Sequence, residues 1–223
     1  MRRGISTRAR VVQTTLDLMW LNGFGSVTVD AICASAKVQK GSFYHFFRSK
    51  QEVAAAALEA HWVTIQPDLD RIFCDETVDP MQRIAQFFDH VFLCQLERSK
   101  RCGQVMGCPF ATLGTEVIKH ESILSAKASD LMDRYCLYFE TALKEAQINS
   151  DSKVGDPRVS ARELYAYLVG GLVQARMHND AEILRQLSAR IRQTLGIRTP
   201  PAENSKADLA VDEEVRGPGR RMQ

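Results

Sequence analysis

The chain has 223 residues, 45% of them hydrophobic and 25% charged, with a net charge of +2, which is enough apolar material for a buried core and excludes wholesale disorder. No run of about 18 apolar residues occurs, which excludes a spanning helix, and the charged start Met1–Arg8 lacks the apolar stretch of a secretory signal. Six cysteines (33, 74, 94, 102, 108 and 136) without CxxC spacing read as reduced thiols, so a cytoplasmic protein is expected.

The charge is unevenly placed. Residues 1–50 hold eight Lys and Arg against two acids, Asp17 and Asp30, while the rest holds 21 basic against 25 acidic residues. A basic N-terminal fifth on an acidic body suits a module that faces nucleic acid, although a solvated positive face leaves the same signature.

In chain order, Ala9, Val12, Leu16, Met19 and Gly23 share one stripe of a first helix, and Asn22-Gly23 supplies its stop. Thr28 caps a short second helix with Val29, Ile32 and Cys33 on one face, and a third runs from about Gln39 to Phe46. Ser49-Lys50-Gln51-Glu52 has the form of a capping box opening a long fourth helix, which Pro67 should kink or end. Asp79-Pro80 opens a helix bearing Ile84, Phe87, Phe88, Val91, Phe92 and Leu96, and Cys108-Pro109 opens a shorter one. Residues 122–147 form another long helix, Asp156-Pro157 starts one that reaches about His178, and a last one spans roughly 180–196. No strand pattern and no repeat appear, and residues 199–223, with Pro200-Pro201 and few large apolar side chains, read as a disordered tail. The expectation is an all-α protein of about nine helices. Residues 1–50 form a three-helix head, 51–198 a helical body, and 199–223 the tail.

Residues 24–50 contain two short helices joined by a tight turn, the helix-turn-helix arrangement, in which the first helix braces the second so that its N-terminal end enters the major groove. Gln39, Lys40 and Ser42 stand on that end with free donors and acceptors, and Gly41 lets backbone approach DNA closely. Tyr44 and His45 suit phosphate or base-edge contacts, while Val29, Ile32, Val38, Phe43 and Phe47 form the small core that sets the interhelix angle. Two amphipathic helices packed in an ordinary bundle are the plainer alternative. The stretch from Gly25-x-Val27-Thr28-Val29-x-x-Ile32 through Lys40-Gly41-Ser42-Phe43-Tyr44-His45-Phe46-Phe47-x-Ser49-Lys50 resembles the DNA-binding domain of the TetR family of bacterial transcriptional regulators. The resemblance covers about residues 5–55 and implies an all-helical homodimer, usually a repressor, whose C-terminal domain binds a small molecule and thereby releases a palindromic operator. It places Gln39, Lys40, Gly41, Ser42, Tyr44 and His45 on the recognition helix, with Thr28 and Lys50 holding phosphates.

In the body, Leu164, Tyr165, Leu168, Val169, Leu172 and Val173 stripe the penultimate helix, and Ile183, Leu184, Leu187, Ile191 and Leu195 the last. Both stripes suit a four-helix dimer contact, with Gly170-Gly171 admitting close approach, or else face their own core. Trp62, Phe87, Phe88, Phe92, Met106, Phe110, Tyr135 and Phe139 are candidates for the wall of an effector cavity, though aromatic stripes more often form solid core. Cys108 precedes a helix-opening proline, where free amides would lower its pKa, and Cys102 is a candidate resolving partner; an inert buried thiol is the alternative. Gly107-Cys108-Pro109-Phe110-x-x-Leu113-Gly114-x-Glu116 is similar to a stretch of one TetR-family subgroup, some of whose members sense electrophiles through a cysteine. The five histidines (45, 61, 90, 120 and 178) make no HExxH pair, Cys94, Cys102 and Cys108 are too irregular for zinc, and no phosphate-cradling loop is present. No enzyme, metal or cofactor is therefore expected; an architectural DNA binder without effector is the competing function, which a large aromatic body argues against.

Overall fold

The computed structural model describes residues 6–116, 123–149 and 155–197. Among them are nine helices and no strand: α1 Thr7–Asn22, α2 Val29–Ala36, α3 Lys40–Phe46, α4 Lys50–Phe73, α5 Pro80–Cys102, α6 Pro109–Glu116, α7 Ile123–Asn149, α8 Pro157–His178 and α9 Glu182–Thr194. The expected tail at 199–223 lies outside the described residues.

The helix starts follow from side chains that satisfy free amides. Thr28 accepts from Ala31 N at 3.1 Å, Asp79 from Met81 N at 2.9 Å, and Asp156 from Arg158 N at 2.8 Å, the last two with proline at the first helical position. At the start of α4, Ser49 Oγ accepts from Glu52 N at 3.1 Å, while Glu52 reaches one residue further back than a standard box, accepting from Arg48 N at 2.7 Å. Gly23 ends α1 at φ 82°, and Lys37 ends α2 in the left-handed conformation at φ 52°, a cost for a side-chain-bearing residue that turns the chain into α3 within three residues.

Pro67 does not end α4, which runs on to Phe73. The carbonyl four residues earlier, which loses its amide partner, belongs to Val63; that residue is 61% exposed, so water can replace the missing donor.

The head consists of α1–α3 packed on the first half of α4. Val11, Met19, Ile32, Phe43, Val53, Ala54 and Leu58 are fully buried there, with Val29 and Val38 packed around them, so the angle between α2 and α3 is fixed by apolar contacts. The body is a bundle in which α4 packs on α7, α7 on α8, and α9 closes over α5 and α8. Arg83, only 5% exposed, joins three elements: it donates to Val78 O at 2.8 Å, to Phe73 O at the end of α4 at 3.1 Å, and to Glu145 on α7 at 2.7 Å. Gly171 lets α9 pack closely on α8, since a Cβ there would lie 2.5 Å from Leu187 Cδ2 and push that side chain aside. No described helix is long and apolar enough to cross a membrane.

Candidate DNA-reading face and effector cavity

The N-terminal half of α3 projects from the head with nothing packed over it. Gln39, Lys40, Gly41, Ser42, Tyr44 and His45 are all exposed, and a Cβ at Gly41 would meet no atom within 4 Å. Phe43 faces the other way, fully buried, with Tyr44 edge-on to its ring at 5.3 Å. Alternating core and solvent positions thus present one polar face from a rigid base.

Two of the expected phosphate contacts have internal duties. Thr28 uses its hydroxyl oxygen as the α2 cap, which leaves the hydroxyl proton to donate outward. Lys50 donates to Phe24 O at 2.8 Å and Val27 O at 2.9 Å, and its ammonium sits 4.2 Å from the centre of the Phe24 ring. It clasps the loop between α1 and α2 to α4, so one of its three protons is left for a phosphate. Lys40 pairs with Asp30 on α2 at 2.6 Å, both side chains exposed; the hydrogen bond to Asp30 raises the lysine's pKa and keeps it charged.

Within the body, a partly open cavity of about 200 Å³ is bordered by α1, α4, α5, α6, α7 and α8. Of the eight wall candidates, Phe87, Phe110 and Tyr135 line it. Trp62 instead lines a larger outward-facing groove of about 590 Å³ on α4 and α7, with Phe73, Arg134 and Tyr138. Phe88, Met106 and Phe139 are solid core, 2%, 6% and 1% exposed, and Phe92 is half-buried beside them: the apolar arc of each helix is wider than the cavity it borders. The inner cavity is the better ligand site despite its size, because buried polar groups without partners face it.

The sequence did not single out those polar groups. His61, Gln95, Arg98 and Tyr165 line the cavity together with Trp20, Asp68, His90 and Cys94. Their signal was present: Phe87, Val91, Cys94 and Arg98 fall at four-, three- and four-residue spacing on α5, as do Ala54, Leu58, His61 and Ile65 on α4, so a polar residue sits in register with each buried stripe. Burial, and then the charge of Arg98, hold His61 down to about 4, so it is a neutral imidazole at pH 7. Burial pushes the Tyr165 phenol far up, and the Tyr135 phenol likewise; both are donors.

Cys108 also lines the cavity, at the mouth of α6. The amides of Ala111 and Phe110 do draw the thiol's pKa down, as its helix-terminal position leads one to expect. Burial outweighs them and pushes it up to about 11, so the expected thiolate is a thiol at neutral pH. Cys102 is exposed at the end of α5, while Cys108 is half-buried in the cavity wall. Among the described residues no group of three or more His, Cys, Asp or Glu is placed to hold a metal ion.

The loop before α6 joins this cavity to the head. Met106 O accepts from the Trp20 indole at 2.8 Å and from Arg176 Nη1 at 3.3 Å. Arg176 also donates to Thr112 Oγ1 at 3.2 Å and, through Nη2, to Trp20 O at 2.9 Å and Leu21 O at 3.2 Å, the last carbonyls of α1. One guanidinium on α8 therefore holds α1, the loop and α6 together, stabilised further by the negative end of the α1 dipole. Gln95 completes the loop's fixing by donating to Gly107 O at 3.1 Å and accepting from Gly107 N at 3.2 Å.

Residues 11–57 match the family described as bacterial regulatory proteins, tetR family, and residues 80–191 match the tetracyclin repressor-like C-terminal domain. The chain belongs to the TetR family. The transcriptional repressor NemR of Escherichia coli K12 is 26% identical over 194 residues, covering 85% of this chain and 94% of the relative. The transcriptional regulator AcuR of Cereibacter sphaeroides is 27% identical over 168 residues, 75% of each. The crystal structure of reduced E. coli NemR superposes with a TM-score of 0.74 at 25% identity, covering 88% of this chain and 98% of that one. A TetR regulatory protein from Rhodobacter sphaeroides gives 0.72 at 25% identity, covering 82% and 96%. As a TetR-family member the chain is a DNA-binding transcriptional regulator, and its head is the matched DNA-binding domain.

Proposed function

We propose that this TetR-family protein is a homodimeric repressor, acting in the cytoplasm, that a small molecule in the inner cavity releases from a palindromic operator. Residues 1–50 act as the reading head, with Gln39, Lys40, Ser42, Tyr44 and His45 of α3 in the major groove and Thr28 and Lys50 at its edges on phosphate. The observation that carries the reading is the Met106 carbonyl, which accepts from Trp20 of the head and from Arg176, two residues before a thiol in the cavity wall. A ligand that moves this loop moves the end of α1, and so favours a dimer whose heads no longer match the groove spacing. Modification of Cys108 acts on the same loop once the cavity opens to expose the thiol.

The dimer contact is assigned to α8 and α9, with only Val173 of the outward α8 residues shared with the stripes read from the sequence. Leu164, Tyr165, Leu168, Leu172, Leu184 and Ile191 are buried in their own chain. Outward on α8 lie Ala166, Tyr167, Gly170, Val173 and Met177, exposed apart from half-buried Gly170, and a Cβ at Gly170 would meet nothing within 4 Å. Small residues at one stripe let a second helix pair come close.

Footprinting of fragments recovered from genomic DNA tests the reading. The expected result is a protected palindrome with half-sites about 34–36 Å apart, lost in Lys40→Ala and Tyr44→Ala while the dimer persists. Diffuse, salt-sensitive binding without a defined site would establish an architectural binder instead.

A further inference from the structure

Arg98 is the unsolved group in the cavity wall. It projects from α5, half-buried, and its guanidinium lies 4.4 Å from the centre of the Trp20 ring. Among the described residues it has no carboxylate within ion-pair distance and no hydrogen bond, although it carries five donors in a planar fork. Burial disfavours its charge, and Glu97, which pairs with Arg101 at 3.8 Å, offsets that only in part. A desolvated, unpaired guanidinium is a costly arrangement that a protein keeps where something else supplies the anion.

The neighbouring groups define that anion further. Tyr165 and His61 are each 8% exposed and line the cavity, and neither makes a hydrogen bond to another described residue; nor does the Tyr135 hydroxyl. The other charges on the wall are already matched, since Asp68 pairs with Arg71 at 3.0 Å and His90 at 3.5 Å. One unpaired cation calls for a single negative charge, and a phosphate dianion would lack a second. The guanidinium fork fits the two oxygens of a carboxylate. Trp20, Phe87, Phe110 and Leu168 supply an apolar stretch of the wall. At about 200 Å³ the space is below the roughly 300–1,000 Å³ of sites for drug-sized ligands, so the body of the ligand is short.

We propose that the cavity takes a small monocarboxylate, its carboxylate on Arg98 with the Tyr165 and Tyr135 hydroxyls as further donors, and its apolar body against Phe87 and Phe110. The proposal rests on the reading of this cavity as the effector site. It gives that reading a direct link to the head, because the anchoring guanidinium is the one stacked on Trp20.

Calorimetric titration of the full chain without DNA tests it, using benzoate and hexanoate against benzamide and hexanamide, which keep shape and lose charge. The expected result is binding of at least one acid at least tenfold tighter than its amide, a difference of about 1.4 kcal/mol. Arg98→Gln should lose that preference and Arg98→Lys keep part of it, with thermal melts confirming that each variant folds. Equal binding of acid and amide, no binding of either acid, or an Arg98→Gln protein that retains the preference overturns the assignment; the acid–amide comparison on the unaltered chain stands even if a variant misfolds. Operator affinity measured with the same compounds separates the two claims. Acid binding that leaves operator affinity unchanged upholds the carboxylate and refutes the effector reading, whereas operator release by the amide but not by the acid refutes the carboxylate and upholds the effector reading.

Discussion

Replacing Arg176 by alanine removes four hydrogen bonds at once, to Met106 O, Thr112 Oγ1, Trp20 O and Leu21 O. Hydrogen bonds from a charged donor contribute about 1.5–3 kcal/mol each. Those at 3.2–3.3 Å are long and the guanidinium is half-buried, so the four together are worth about 2–4 kcal/mol rather than their sum. The Met106 carbonyl keeps the Trp20 indole, which limits the damage to the loop. The end of α1 loses its cap, and the head gains freedom relative to the body. Urea unfolding should show that loss of stability, and gel-shift titration under the same conditions should show operator affinity reduced at least tenfold. Arg176→Lys keeps the charge without the fork and should fall between. Lost stability with operator affinity within twofold of the original would make Arg176 merely structural and refute the coupling; unchanged stability would refute the clasp itself.

Three further outcomes follow from the burial of single groups. Folded His61 refuses a proton until about pH 4, whereas the unfolded chain binds one near 6.5; stability is full above pH 6.5 and falls by about 1.4 kcal/mol per unit below it, so His61→Gln should flatten the urea midpoint between pH 6.5 and 5. Cys108 behaves in the opposite direction, its folded pKa of about 11 standing above the ordinary 9.0, so stability drops between pH 9 and 11 by a comparable slope that Cys108→Ser removes. The same shift slows its alkylation by iodoacetamide about tenfold relative to an unperturbed thiol, after lower thiolate content is set against higher nucleophilicity, and peptide mapping at pH 7.5 should find exposed Cys102 modified first. On the α8 surface, Val173→Asp should weaken the dimer at least tenfold in sedimentation equilibrium, because it places a charge on the apolar stripe, and a persistent dimer would put the contact elsewhere.

The parts of the molecule legible in sequence are those fixed by local rules. Caps at Thr28, Ser49, Asp79 and Asp156 and the stop at Gly23 set helix ends within a residue or two because each satisfies groups nearby in the chain. The exposed face of α3 was legible for the same reason, since a seven-residue helix with Phe43 inward leaves Ser42, Tyr44 and His45 outward. Pro67 does not end α4 because the carbonyl it leaves without an amide belongs to exposed Val63. The wall of the cavity was half legible: aromatic spacing gave Phe87, Phe110 and Tyr135 but could not tell them from Phe88 and Phe139, which differ only in what lies across from them. Arg176 and Trp20 meet across 156 residues of chain, and no periodicity reports that. The Cys108 thiol shows the same limit in electrostatics, where a local effect of the right sign is outweighed by burial that only the fold supplies.

The joint at Met106 also bounds what the cavity can do to DNA. A ligand shifts the equilibrium between two dimer shapes only by its differential affinity for them, and coupling free energies of about 1–3 kcal/mol are usual. If the Arg176 contacts are the part of the joint that differs, their lower value of about 2 kcal/mol per subunit gives about 4 kcal/mol for two subunits, or about a thousandfold in operator affinity. Release is then strong without requiring a large ligand: a molecule small enough for about 200 Å³ has to displace only Trp20 or one peptide of the loop. An effector that lowers operator affinity by much more than a thousandfold would require contacts beyond this guanidinium, and Arg176→Ala would then retain most of the response.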